Sequence, residues 1–239
     1  MLLKDNLVKL GGTLFKYRSY QFFLYFGAAF LSWRHFYHTK DNFIFELICF
    51  FVALLGMAIR ILSVGFVKIG TSGRNVTEQI AEELNTTGLY TIVRNPLYIG
   101  NYFIFLGVIM LTQDIKTIII VSVLYWLFYF PIIMTEEDFL LNKFSDEYVK
   151  YTQDVNCLIP SFKNFKKTDR KFSLVTVLVR EHDTMFTTML LLLGAETIME
   201  YFQLVRLHLD AFWIYLFAFV TFVYVILKFL KKTKRIVPQ

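Results

Sequence analysis

Two stretches of this chain carry residue types suited to handling a small charged molecule. The first is Gly88-Leu89-Tyr90-Thr91-Ile92-Val93-Arg94-Asn95-Pro96-Leu97-Tyr98-Ile99-Gly100, and the second is the carboxylate pair Glu136-Glu137. Asn95-Pro96 ahead of an apolar run is a helix-start signal: Asn suits the cap, and Pro suits the first helical position, where no amide hydrogen is needed. Such a helix start presents amide hydrogens and a partial positive charge to a carboxylate or phosphate. Arg94 adds a planar donor for the same anion, and Gly100, one turn in, lets something approach the helix closely. Tyr90 and Tyr98 bracket the start. Their rings stack on purines and attract cations, a sulfonium included, although interface tyrosines are common in membrane proteins anyway.

Glu136 and Glu137, with Asp138 next, follow an apolar segment directly, where acids oppose the helix dipole. Binding an ammonium group is the functional reading; a solvated acidic start to a polar helix is the plain one. Jointly the two stretches complement S-adenosylmethionine. A glutamate would take its amino group, the helix start its carboxylate, and tyrosines its adenine or sulfonium.

The elements that must position these groups are membrane helices. Of 239 residues, 56% are hydrophobic and 18% aromatic, and the mean hydropathy is +0.51; a water-soluble exterior needs more charge than that. The expected fold is all-α, a multi-pass helical bundle with six spans at about 20–33, 43–67, 97–113, 117–134, 184–205 and 211–227. Most of the 25 lysines and arginines then fall on one side. Only Arg34, Lys40, Lys116 and Arg206 lie opposite, and Arg60 sits within a span, snorkelling to its edge. That bias orients both termini and the site to the cytoplasm, in a bacterial inner membrane or endoplasmic reticulum. The basic clusters, Lys163 to Lys171 among them, read as topology signals and headgroup contacts rather than a nucleic-acid face.

Thr135 onward is expected to form an amphipathic cytoplasmic helix through Phe139, Leu140, Phe144, Tyr148 and Tyr151, ended by Pro160. The organisation is a core at 1–160, then a basic segment and a two-helix hairpin at 161–239. Cys49 and Cys157 lack metal spacing, so no metal site is expected. Glu196 and Glu200, one turn apart inside a span, are expected to pair with Arg206 or His208. The sequons at Asn75 and Asn85 fall on the cytoplasmic side and stay unmodified.

The motif set resembles the isoprenylcysteine carboxyl methyltransferases and phospholipid methyltransferases, integral-membrane enzymes that use S-adenosylmethionine. The resemblance rests on Gly88-x-Tyr90, Arg94-Asn95-Pro96-Leu97-Tyr98-x-Gly100, Glu136-Glu137, Tyr148-x-x-Tyr151 and Pro160. It covers about Gly73 to Pro160. It implies that Tyr90, Asn95, Pro96, Leu97, Tyr98 and Glu136 contact the cofactor, with Gly100 beside them and Leu84 and Asn85 in the preceding loop. Arg94 and Glu137 are the candidate catalytic pair.

Three positions depart from the family pattern. Asn95 replaces a histidine. Ile132 and Asp154 stand where prenylcysteine enzymes carry arginines that hold the substrate carboxylate. The expected acceptor is therefore a phospholipid amine or a lipid phosphate, such as that of lipid A, ahead of a prenylcysteine carboxylate. A sterol-type reductase using a nicotinamide dinucleotide, or a non-catalytic lipid-binding or transport protein, are the competing readings.

Overall fold

The computed structural model describes residues 2–21, 27–28, 31–32, 43–68, 81–204, 211–233 and 235–236. Six α-helices run through them: α1 Leu2–Tyr17, α2 Phe43–Gly65, α3 Pro96–Met110, α4 Ile115–Asp154, α5 Leu174–Leu204 and α6 Ala211–Lys232. Short 3-10 turns occupy Arg18–Gln21 and Gly88–Thr91, and no strand occurs among the described residues. The fold is all-helical.

Among the described residues three helices are long and apolar enough to cross a membrane: α2, α4 and α6. Of the six expected spans, these three meet that measure. The 20–33 stretch lies largely outside the described residues. α3 is apolar but only 15 residues long, short of the ~20 that a perpendicular crossing takes. α5 begins ten residues before the expected span and carries Arg180, Glu181, His182 and Asp183 into the bundle. Large apolar side chains such as Phe51, Leu127 and Phe219 are exposed on the outside of the crossing helices, as lipid rather than water permits.

α4 runs 40 residues, about 60 Å at the usual helical rise, roughly twice the hydrocarbon thickness. Its apolar first half and acidic second half are one element. The expected amphipathic helix is thus the continuation of a spanning helix, kinked at Ser145 (φ 43°, ψ −115°) and ending at Asp154 before Pro160 is reached. α1 was read only as a source of positive charge. It lies against α4 instead: Lys4 pairs with Asp138 at 2.8 Å, and the Thr135 hydroxyl donates to the Val8 carbonyl at 2.8 Å. That hydroxyl also lies 3.0 Å from the carbonyl of Pro131, the proline inside α4 that has no N–H of its own to contribute.

α2 and α3 meet through small residues. A Cβ at Gly56 would strike the Gly100 carbonyl and the backbone at Ile104, and one at Gly107 would strike the Cys49 carbonyl and Ala53. Bare backbone on both helices is what allows this approach, the usual device between membrane helices. Between α3 and α4 lies an aromatic core of Tyr98, Tyr102, Phe105, Tyr125 and Tyr129. Tyr125 and Tyr129 have ring centroids 4.5 Å apart, and the Tyr125 hydroxyl donates to the Tyr98 carbonyl at 3.1 Å. Phe15 brings α1 into the same cluster.

Arg60 does not snorkel. Its guanidinium makes a two-pronged pair with Glu181 of α5 (2.7 and 2.9 Å) and donates to the Asn101 side chain of α3 at 2.6 Å. The arginine finds a buried counter-charge one helix away, which satisfies it better than a stretch to the membrane edge. At the opposite end of α2, Trp213 of α6 donates to Glu46 at 3.0 Å. Arg206 and His208, the expected partners of Glu196 and Glu200, lie outside the described residues.

Because Gly56 and Gly100 leave no room for a side chain, Gly56→Leu should force α2 and α3 apart. The expected destabilisation is about 1–3 kcal/mol, read as a lowered Tm in detergent, while Gly12→Ala, with only Thr135 Cγ2 at 4.0 Å, should leave Tm nearly unchanged.

Candidate functional site

The start of α3 is where the two sequence stretches meet. Pro96 sits in its first turn and Asn95 is the cap residue, as the Asn-Pro signal requires, yet the Asn95 side chain makes no capping bond. It turns instead to Glu137 Oε1 at 2.9 Å and to the Cys157 carbonyl at 3.3 Å and sulfur at 3.5 Å. The first amides of any α-helix lack intrahelical acceptors. Here the cap side chain leaves those of α3 uncovered.

Arg94, next to the cap, is fully engaged. Its Nε and one terminal nitrogen donate to the two oxygens of Glu137 at 2.9 and 2.8 Å, and the other terminal nitrogen donates to the Val155 carbonyl at 2.6 Å. This corrects the expectation that Arg94 offers its fork to an incoming anion: Glu137 already fills the fork. The pair is largely buried, at 13% and 10% side-chain exposure, where a two-pronged arginine–carboxylate contact is geometrically specific. Burial lowers the affinity of the Arg94 guanidinium for its proton, and hydrogen bonding and charge from Glu137 outweigh it, so the net shift is upward.

Gly100 is corrected as well. Its open face is filled by α2, with the Gly56 carbonyl and the Arg60 stem where a Cβ would be. It serves helix packing.

Glu136, one residue earlier on α4, goes elsewhere. Its carboxylate has Arg18 at 3.8 Å and stands close enough to Tyr98 to act on that phenol. Its side chain keeps 29% exposure, so a ligand can reach it. Two adjacent acids on one helix lie about 100° apart around the axis, which is why one is consumed inside while its neighbour keeps partial exposure. Tyr98 itself is buried and packs at a tilt against Tyr129, with centroids 5.4 Å apart.

Tyr90 lies on the Gly88–Thr91 turn, where Gly88 takes a positive φ of 63°. Its carbonyl accepts from the Tyr151 hydroxyl at 2.6 Å. Burial pushes the Tyr90 phenol up to about 12, against the pull of the nearby Arg180 guanidinium, with Glu136, Arg60 and Glu181 also acting on it. Charge from α4, α2 and α5 therefore converges on this ring. Leu97 is half-buried on the first turn of α3. Leu84 and Asn85, also half-buried, stand in the irregular run before Gly88.

Residues the sequence reading left without a role complete the arrangement. Cys157 packs on Asn95, and burial, reinforced by Glu137, pushes its thiol up to about 12, so it stays protonated. Arg18 was counted as a topology charge. Glu181 was placed in a loop, and only the early start of α5 brings it inside. The Tyr-x-x-Tyr spacing was the one available signal for Tyr151.

With this geometry in view, the comparisons are specific. Residues 47–147 match the sequence model of the family described as phospholipid methyltransferase. That segment is similar to the phospholipid methyltransferases and the isoprenylcysteine methyltransferases, a likeness that covers under half of the chain. Protein-S-isoprenylcysteine O-methyltransferase of Schizosaccharomyces pombe is 32% identical over 95 residues, 37% of this chain and 40% of that protein. The Saccharomyces cerevisiae protein of the same name is 32% identical over 74 residues, 31% of each chain. Nickel-cobalt-cadmium resistance protein NccN of Alcaligenes xylosoxydans xylosoxydans is 28% identical over 115 residues, 48% of this chain and 51% of that one. The chain thus spans about half or less of the length of these curated relatives. No solved structure matches it. The matched segment holds Tyr90, Arg94, Asn95, Tyr98, Glu136 and Glu137. Arg18, Cys157 and Glu181 lie outside it.

If Arg94 and Glu137 are a buried structural pair, Arg94→Ala should cost about 3–5 kcal/mol by stranding the carboxylate. The double change Arg94→Met with Glu137→Leu should recover a large part of that loss. Thermal unfolding of the three variants in one detergent checks it, and additive losses would remove the pairing.

Proposed function

We propose that the chain is an integral-membrane methyltransferase that uses S-adenosylmethionine and modifies a lipid or lipid-linked acceptor at the cytoplasmic boundary of the bilayer. One observation carries the reading: Glu136, partly exposed and only loosely paired with Arg18, stands near Tyr98 at a helix start whose cap side chain has turned away. This donor set fits an amino-acid zwitterion that also bears a cation. Glu136 would hold the ammonium, and the Leu97 and Tyr98 amides at the start of α3 the carboxylate. Tyr90 and Tyr98 would flank the sulfonium or the purine, with Leu84 and Asn85 on the loop side.

When bound, S-adenosylmethionine supplies an electrophilic methyl group. The chain supplies placement, which for transfer to an oriented nucleophile is most of the catalysis. Arg94, Asn95 and Cys157 tie the α3 start to α4 and to the segment after it, so Arg94 and Glu137 act as positioning residues in this reading. The aromatic core behind Tyr98 excludes water from that side.

For the acceptor, Ile132 is fully buried against the aromatic core and Asp154 is the last residue of α4. Neither offers a cation to a prenylcysteine carboxylate. That favours a phospholipid amine or a lipid phosphate. Two of the relatives are named for isoprenylcysteine O-methylation, which supports the carboxylate as the second reading.

Glu136→Gln should weaken S-adenosylmethionine binding by roughly 30-fold or more, as truncating one partner of a close charge pair does, with Tm little changed. Isothermal titration in detergent checks it, and unchanged affinity would remove Glu136 from the site. Incubation with methyl-labelled cofactor and total membrane lipid, followed by mass spectrometry, should yield label on a lipid amine or phosphate. Label found only on an added prenylcysteine peptide would move the assignment to the second reading.

A further inference from the structure

The segment joining α4 to α5, residues 155–173, is irregular but held along its length against the turn that carries Tyr90. Ser161 N–H donates to the Ile92 carbonyl and Gly88 N–H to the Lys166 carbonyl, each at 2.9 Å. The Lys166 N–H reaches the Thr91 hydroxyl at 3.2 Å, and Arg170 pairs with Glu83. At its end, Ser173 N–H donates to the carbonyl of Gly65, the last residue of the spanning helix α2, at 2.8 Å. Phe172 packs edge-on against Phe66 there. The strap therefore lies at the level where α2 leaves the bilayer.

Its outward side chains do not suit water. Ile159 and Phe162 are each 74% exposed and Phe165 is 55% exposed, although a strap pinned by this many backbone bonds has neighbours enough to bury them. Between and after them stand Lys163, Lys166, Lys167 and Lys171, all exposed, and among the described residues none of the four forms an ion pair. Asp169 is the one acid in the run 159–172. Large apolar groups alternating with lysines match an interface whose outer layer is anionic and whose next layer is hydrocarbon. Each lysine gains from the negative surface while a ring enters below it. Aromatic rings are favoured at that depth.

We propose that the 159–172 strap is a lipid-engaging anchor, seated in the anionic leaflet beside the chain's own spanning helices and fixing the Gly88–Thr91 turn from outside. The occupant is a bilayer surface rather than an acidic protein. Three apolar side chains projecting from one loop need hydrocarbon, and the bond to Gly65 sets that loop at the hydrocarbon edge. A consequence for S-adenosylmethionine affinity rests additionally on the methyltransferase reading. With Tyr90 held by lipid contact, binding should be tighter in anionic than in neutral bilayers.

The test uses the full chain in nanodiscs, with a nitroxide on Phe162→Cys or, as a second position, Ile159→Cys. Wild type treated in the same way gives the background from Cys49 and Cys157. In discs containing phosphatidylglycerol, the label should be relaxed more by oxygen than by a water-soluble nickel complex. In phosphatidylcholine discs, or with Lys163, Lys166, Lys167 and Lys171 all changed to Gln, the preference should fall towards the aqueous reagent. A label that prefers the aqueous reagent in both lipids at both positions would overturn the anchor. Affinity for S-adenosylmethionine in the same discs keeps the two readings separate. An immersed label with no cofactor binding in any disc sinks the methyltransferase reading alone, and cofactor binding with a water-facing label sinks the anchor alone.

Discussion

The structure around the site depends on the two-pronged contact between Arg94 and Glu137. It joins the residue before the α3 cap to the middle of α4, and the remaining guanidinium nitrogen extends the tie to Val155. Asn95 adds a second strand to the same knot by bridging Glu137 and Cys157. A buried ion pair of this kind contributes modestly to net stability, because desolvation offsets much of the attraction. What it fixes is geometry: with Arg94 anchored, the α3 start faces a set direction relative to α4. Glu136, one residue round the helix, stays outside this knot and keeps 29% exposure.

That arrangement explains a division of labour that residue type alone does not reveal. Adjacent glutamates of identical chemistry take opposite roles because the helix turns them apart. Glu137 is neutralised by a cation 43 residues away in sequence. Glu136 stays partly exposed, with Arg18 at 3.8 Å. In the proposed reading, a ligand carrying an ammonium group would compete for Glu136 with Arg18, whose contact at 3.8 Å is long.

Much of this was legible beforehand, for definite reasons. The all-helical membrane class followed from composition, and the helix start at Pro96 from the Asn-Pro step, since both are local properties. The meeting of the two stretches followed from their joint fit to one zwitterionic molecule, not from any pairing between them. Other features needed distance information. Arg94 was expected to face a ligand because nothing local shows that Glu137 fills its fork, and Gly100 was expected to admit a ligand because nothing local shows α2 lying on it. The Arg60–Glu181 pair joins residues 121 apart, and hydropathy counted only the apolar half of α5. The helix α1 was missed because its lysines dominated the reading of the amino end, although Phe15 and Gly11 pack inward.

The central claim is that Glu136 and the α3 start grip one zwitterion between them. Hydrogen–deuterium exchange of the intact protein, with and without saturating S-adenosylmethionine, tests it most directly. Peptides covering Leu97–Tyr98 and Met134–Asp138 should gain protection together, and both should lose that gain in Glu136→Gln. Protection confined to other helices, or cofactor binding that leaves both peptides unchanged, would contradict the account.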